Sequence, residues 1–209
     1  MYEELRAVQA GQQELLRVAR LAEQSGLCRH GSGNFSLRVR RHDEEGDGSL
    51  FVVTPHAESR FSITPDDVIV ANLDGTVVEN RGGLQPTSEL ALHCAVLNAR
   101  RDVNAVCHTH APNATAFAVL NRPIPPCVAQ AAFYGWECGT SSYYPPGTPE
   151  LAASVVRGLG RLYVVLMERH GLLTVGESIY DAYMKTVYAE EVAEINVKLS
   201  QLGGGLDPA

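Results

Sequence analysis

Ala105-Val106-Cys107-His108-Thr109-His110-Ala111-Pro112 is the stretch from which the fold is read. Val103 to His108 is a short apolar run between turn residues, the pattern of a buried strand, and Pro112 to Leu120 then reads as a helix. A buried strand feeding a helix is the unit of a layered α/β protein. Leu162 to Met167 is a second apolar strand, ending at Glu168-Arg169-His170-Gly171. Around these runs, strands are expected at 34–39 and 50–54 and a hairpin over 72–78 through Asp74-Gly75. Helices are expected from Glu3 to Gln24, from Pro86 to Arg100, from Thr148 to about Gly158 and from Glu177 to Leu202. The last is read with Tyr180, Met184, Tyr188, Val192, Ile195, Leu199 and Leu202 as an apolar stripe, against a sheet or a neighbouring subunit. The sum is an α/β or α+β fold, a mixed, mostly antiparallel sheet with helices on both sides.

Composition agrees. The 209 residues are 45% apolar and 20% charged with a mean hydropathy of −0.07, enough for one core, and a single domain over 1–209 is expected. Seventeen Lys and Arg against 24 Asp and Glu leave a net charge of −7, which argues against a nucleic-acid partner. No apolar run approaches the ~20 residues of a membrane span and the start has no signal-peptide core, so no membrane partner and a cytoplasmic location are expected. Five scattered cysteines without a C-x-x-C pair read as reduced thiols. The two lysines, Lys185 and Lys198, both fall in the C-terminal helix away from every motif, which disfavours Schiff-base chemistry.

His108 and His110 stand two apart at a strand end, so their imidazoles face the same side, as metal ligands or as two ordinary strand-end histidines. A third ligand decides between these, and His170 beyond the second apolar strand is the candidate; three imidazoles leave an ion with an open position. Glu89 follows Pro86-Thr87-Ser88 at a helix start, either as an acid favoured by the helix dipole or as a carboxylate that moves a proton beside the metal. Thr87 and Ser88 read as caps or as donors to a substrate anion. Gly33-Asn34 precedes a strand instead of following one, so it reads as an anion-binding turn and not as a dinucleotide loop.

These motifs follow one another in a recognisable order. Gly31-Ser32-Gly33-Asn34-Phe35-Ser36, Val53-Thr54-Pro55, the segment 74–78, Pro86-Thr87-Ser88-Glu89, the segment 105–111, the segment 145–151 and the segment 168–176 together resemble the class II aldolase/adducin head family from about residue 3 to 200. The resemblance implies that His108, His110 and His170 hold a divalent metal and that Glu89 is the catalytic acid/base. By the ligand set, zinc is expected, with manganese, iron, cobalt or nickel as alternatives. It implies a small-molecule substrate and a homotetramer with sites at subunit interfaces. The implied function is a metal-dependent carbon–carbon lyase that stabilises the enediolate of a small hydroxy-carbonyl compound. A decarboxylase of a keto or hydroxyaromatic acid, a sugar-phosphate epimerase or dehydratase, and a non-enzymatic adducin-like interaction module are the alternatives. The intact histidines and Glu89 weigh against the last.

The chain also departs from the family pattern. A small hydroxyl residue and Gly after Thr-Pro are replaced by His56-Ala57, so a substrate carboxylate in place of a phosphate is expected, with His56 either binding it or standing exposed. Ala129 occupies the place of the family's proton-donating tyrosine. Tyr134, five residues on, is the candidate substitute or else packs with Phe133 and Trp136.

Overall fold

A computed structural model of the chain describes residues 2–40, 49–57, 59–132 and 137–204. In chain order the elements are α1 (Tyr2–Gln24), β1 (Asn34–Arg40), β2 (Leu50–Val53), β3 (Ile69–Asn72), β4 (Val77–Glu79), α2 (Leu90–Ala99), β5 (Ala105–Thr109), α3 (Pro112–Val119), α4 (Ala129–Ala132), β6 (Cys138–Ser141), α5 (Pro149–Leu159), β7 (Val164–Met167), β8 (Gly171–Gly176) and α6 (Ile179–Gln201). The strands form one mixed sheet in the order β4-β3-β2-β1-β5-β8-β7-β6. Among the described residues, only the β6–β7 pair is parallel.

Both faces of the sheet are covered. Leu50, Val52, Val70, Cys107, Leu166 and Leu172 pack with residues of α1, α3 and α6, while Phe51, Val53, Ile69, Val106, Val165 and Leu173 pack with α2 and α5. This is why β2, β5 and β7 read as apolar runs in place of the alternation a half-solvated strand shows.

Three readings change. Gly171–Gly176 is a strand, β8, which lies between β5 and β7 and sends the chain straight back from the 168–170 turn. Cys138–Ser141 is a four-residue edge strand too short and too polar to stand out. The C-terminal helix buries only the middle of the expected stripe. Its buried residues are Ile179, Ala182, Tyr183, Lys185, Thr186, Ala189, Val192, Ala193 and Asn196; of the stripe, Val192 is in the core and Met184 packs against it, whereas Tyr180 and Leu202 are 47% and 84% exposed. Small residues at Ala182, Thr186, Ala189 and Ala193 let α6 lie close over β5 and β8.

Candidate metal and acid–base site

Strand β5 and the β7–β8 turn carry the three histidines to one point. His108 lies in β5 and His110 one residue past its end, and His170 occupies the turn between Met167 and Gly171. Their ring centroids are 5.0, 4.8 and 5.2 Å apart with planes inclined by 67 to 77°. One nitrogen from each lies within 4.8 Å of the others. The Nε2 atoms of His108 and His110 are 3.2 Å apart. Two nitrogens bound at ~2.0–2.1 Å to a tetrahedral ion would stand about 3.3 Å apart, so the residues fit such an ion. The Leu172 carbonyl accepts from His108 Nδ1 at 3.0 Å, which turns the lone pair of Nε2 toward the other two rings.

Glycine makes this approach possible. A Cβ on Gly171 would stand 2.5 Å from the Thr109 carbonyl and 3.0 Å from the His110 ring. Gly33, at φ +74°, would bring a Cβ within 2.5 Å of the His108 carbonyl, so neither position admits a side chain without displacing the strand that carries the cluster.

Glu89 is the residue before α2, and its carboxylate makes no capping bond there. It turns instead to the histidines: Oε2 is 3.2 Å from His108 Nε2, Oε1 is 3.6 Å from His170 Nε2, and Asn34 Nδ2 donates to Oε2 at 2.9 Å. Asn34 is the register partner of His108 across β1 and β5, which brings its side chain within reach. Burial alone would raise the Glu89 pKa, but His108, Asn34 and His170 outweigh it and hold the acid well below the usual carboxylate range. Burial likewise works against a charge on His108, yet the neighbouring carboxylate leaves its pKa raised. His110 and His170 are lowered to about 4, first by burial and then by the charge of His108, and a neutral imidazole is the form that binds a metal.

The remaining expected residues are placed as follows. Thr87 is buried and its hydroxyl accepts from the Glu89 N–H at 3.3 Å, while Ser88 is exposed with its carbonyl under Gly147. His56 is exposed, and its backbone N–H donates to the Gln85 carbonyl at 2.8 Å. Tyr134 lies outside the described residues.

Sequence reasoning missed two contributors. His93, fully buried on α2, bonds Ser36 and Asn34; it stands four residues after Glu89, the spacing of one helix face, and that was the available signal. Arg60, 2% exposed, donates to the carbonyls of Gly31, Ser32, Gly33 and Ala57, fixing the turn on which Asn34 stands. An arginine in a polar loop carries no sequence sign of such burial.

Residues 13–197 match the model of the class II aldolase and adducin N-terminal domain. The chain belongs to this family. Among its relatives, the L-fuculose phosphate aldolase of Methanococcus maripaludis is 30% identical over 189 residues, 90% of this chain and 97% of that protein. The 5-methylthioribulose-1-phosphate/5-deoxyribulose-1-phosphate aldolase of Rhodospirillum rubrum is 33% identical over 86% of this chain and 77% of its own length. A solved structure of an L-fuculose 1-phosphate aldolase superposes with a TM-score of 0.85 at 27% identity, covering 96% of this chain and 89% of that one. The fold is thus that of the class II aldolases, whose members use a divalent metal, and the chain is a lyase of the aldolase type. Among the described residues, no helix is long and apolar enough to cross a membrane.

Proposed function

We propose that this chain cleaves a short ketose 1-phosphate reversibly, with a divalent ion held by His108, His110 and His170 and with Glu89 moving the proton. The reading is carried by one observation: three imidazole nitrogens lie within 4.8 Å of one another beside a buried carboxylate that points at them and not at its own helix. Bound there, the ion would polarise the substrate carbonyl and offset the negative charge that develops as the carbon–carbon bond breaks. Zinc suits three imidazoles and is the proposed metal. Glu89 Oε1, buried with no hydrogen-bond partner among the described residues, is the atom that takes and returns the proton. Thr87, Ser88 and the Gly33-Asn34 turn are the proposed anion contacts, and Tyr134 is the proposed second acid. The names of the relatives support a phosphate on the substrate.

One observation favours a second reading, in which a carboxylate replaces the phosphate. The His56 N–H is already bonded to the Gln85 carbonyl, which removes that donor from the loop after Thr54-Pro55. Assay of purified, metal-analysed protein on ketose 1-phosphates and on hydroxy-keto acids, with inorganic phosphate as competitor, separates the two. Phosphate competition and cleavage of the phosphorylated ketose support the first reading. Cleavage or decarboxylation of the acid alone, indifferent to phosphate, overturns it. We also propose a cytoplasmic homotetramer, with the exposed apolar side of α6 at Tyr180, Leu199 and Leu202 as contact surface. A 22.6 kDa particle by light scattering at micromolar concentration would refute the assembly.

A further inference from the structure

Two elements meet behind the metal site with matched spacing. On β1, Asn34 and Ser36 point to one side, 6–7 Å apart by the ~3.3 Å rise of a strand. Glu89 and His93 stand at i and i+4 at the start of α2, about 6 Å apart on one face. Interleaved, they form a single buried chain: Ser36 Oγ to His93 Nδ1 at 2.7 Å, His93 Nε2 to Asn34 Oδ1 at 2.6 Å, and Asn34 Nδ2 to Glu89 Oε2 at 2.9 Å. Every member is 6% exposed or less.

The direction of this chain follows from its end. An ionised carboxylate only accepts, so Asn34 must present its amide N–H to Glu89 and its carbonyl oxygen to His93. That oxygen also only accepts, so His93 must carry its hydrogen on Nε2. Full burial pushes the His93 pKa down to about 3, so the ring is neutral and Nδ1 is bare, and the Ser36 hydroxyl donates to it.

The geometry points to His93 as the positioning residue of the acid–base group: held as the Nε2–H tautomer, it fixes the amide of Asn34 so that one oxygen of Glu89, Oε2, is anchored while Oε1 is left to move the proton. The Nε2–H of His93 adds to the preference that the carboxylate itself imposes on Asn34: a flipped amide would set its NH2 against the His93 N–H at one end and its oxygen against the carboxylate at the other. Oε1 has no hydrogen-bond partner among the described residues, while Oε2 has the Asn34 amide, so the two oxygens of one carboxylate are given different surroundings. This inference rests on the proposed role of Glu89 in its functional half only; the tautomer stands or falls on its own.

Two measurements test it. Nitrogen-15 NMR of the purified chain, with the His93 signals assigned by their absence from His93→Gln, should show a pyrrole-like Nε2 and a pyridine-like Nδ1. A protonated Nδ1 in His93 overturns the proposal, whatever the reaction is. The second compares His93→Phe, which keeps a flat ring and deletes both nitrogens, with His93→Gln, which keeps a donor. For a substrate that the wild type turns over, His93→Phe should lower kcat per bound metal about 10–100-fold, with KM and metal content near wild type, and His93→Gln should recover most of that loss. Loss of folded protein or of metal with kcat per metal unchanged would make His93 a packing residue only. If His93→Phe does not fold, the tautomer and the His93→Gln kinetics decide, since both use a chain with the ring or a donor in place. Should no substrate of the aldolase type be found, that failure falls on the proposed function and leaves the NMR result to judge the tautomer.

Discussion

The two faces of strand β5 meet two buried polar clusters of opposite construction. On the α6 side, Cys107 lies opposite Thr174, whose hydroxyl bonds the Ala182 carbonyl at 2.7 Å and Thr186 Oγ1 at 2.8 Å, and Thr186 donates in turn to Cys107 Sγ at 3.3 Å. Each of these hydroxyls finds its partners inside the fold. On the α2 side, one residue further, His108 meets His110, His170 and Glu89, where His170 Nδ1 and Glu89 Oε1 are buried with no hydrogen-bond partner among the described residues. A buried polar group without a partner costs about 1–3 kcal/mol, so a cluster that leaves such an atom on a carboxylate set against three imidazoles is shaped for something other than stability. The satisfied cluster secures α6 to the sheet; the unsatisfied one is the proposed site.

The comparison breaks most visibly at neighbouring residues of β5. His108→Ala should remove the bound metal and reduce turnover to background, while Cys107→Ser should retain both, as read by metal analysis and the aldol assay on the two variants in parallel. A His108→Ala protein with full metal content would move the metal elsewhere. Next in size is Glu89→Gln, which keeps the shape and the Asn34 contact on one side but cannot take a proton. Its turnover should fall about 10²–10⁴-fold at near-normal metal content. Loss of metal along with rate would make Glu89 chiefly a ligand.

Acid should separate the clusters through stability. His93 has its pKa lowered to about 3 by burial, and His110 and His170 are lowered to about 4. The unfolded chain therefore binds these protons first, near the ordinary histidine value of about 6.5, and folding stability is lost as pH falls from there toward the folded values. His108, raised by Glu89, works in the opposite direction and offsets part of the loss. For chelator-treated protein, urea unfolding between pH 7 and 4 should show a decline of a few kcal/mol, flattened in His93→Gln. A pH-independent midpoint in the wild type would mean that these rings are hydrated. The smallest effect is expected on the satisfied side. Thr186→Val should cost about 1–2 kcal/mol in urea unfolding with metal content and turnover unchanged, because it removes hydrogen bonds without touching the site.

Much of this was legible before the fold was known. The apolar runs at Val103–His108 and Leu162–Met167 marked buried strands because sheet faces covered on both sides leave no polar alternation, and His108-Thr109-His110 declared its common side through the two-residue period of a strand. Strand β8 was not legible: the apolar run was read as ending at Met167, and Gly171 to Gly176, bounded by glycines and only three residues further on, carries no alternation to mark a second strand. Of the apolar stripe on α6, Val192 and Met184 pack on the core but Tyr180 and Leu202 stand exposed, because close packing over β5 and β8 is made by Ala182, Thr186, Ala189 and Ala193, which hydrophobicity alone does not single out.

By itself the sequence determined the chemistry available: three imidazoles, one carboxylate at a helix start and glycines where backbone must approach backbone, all of which are local properties of residue type and spacing. Only the tertiary structure decided which way the carboxylate faces. At a helix start Glu89 has two possible employments, capping its own backbone or reaching across to β5, and the choice rests on Asn34, His93 and His108, which lie 55, 4 and 19 residues away along the chain and come together only when β1, α2 and β5 pack. Contacts between residues distant in sequence have no periodicity to announce them, so the burial of His93 and Arg60 and the direction of the hydrogen bonds that end on Glu89 appear only in the folded chain.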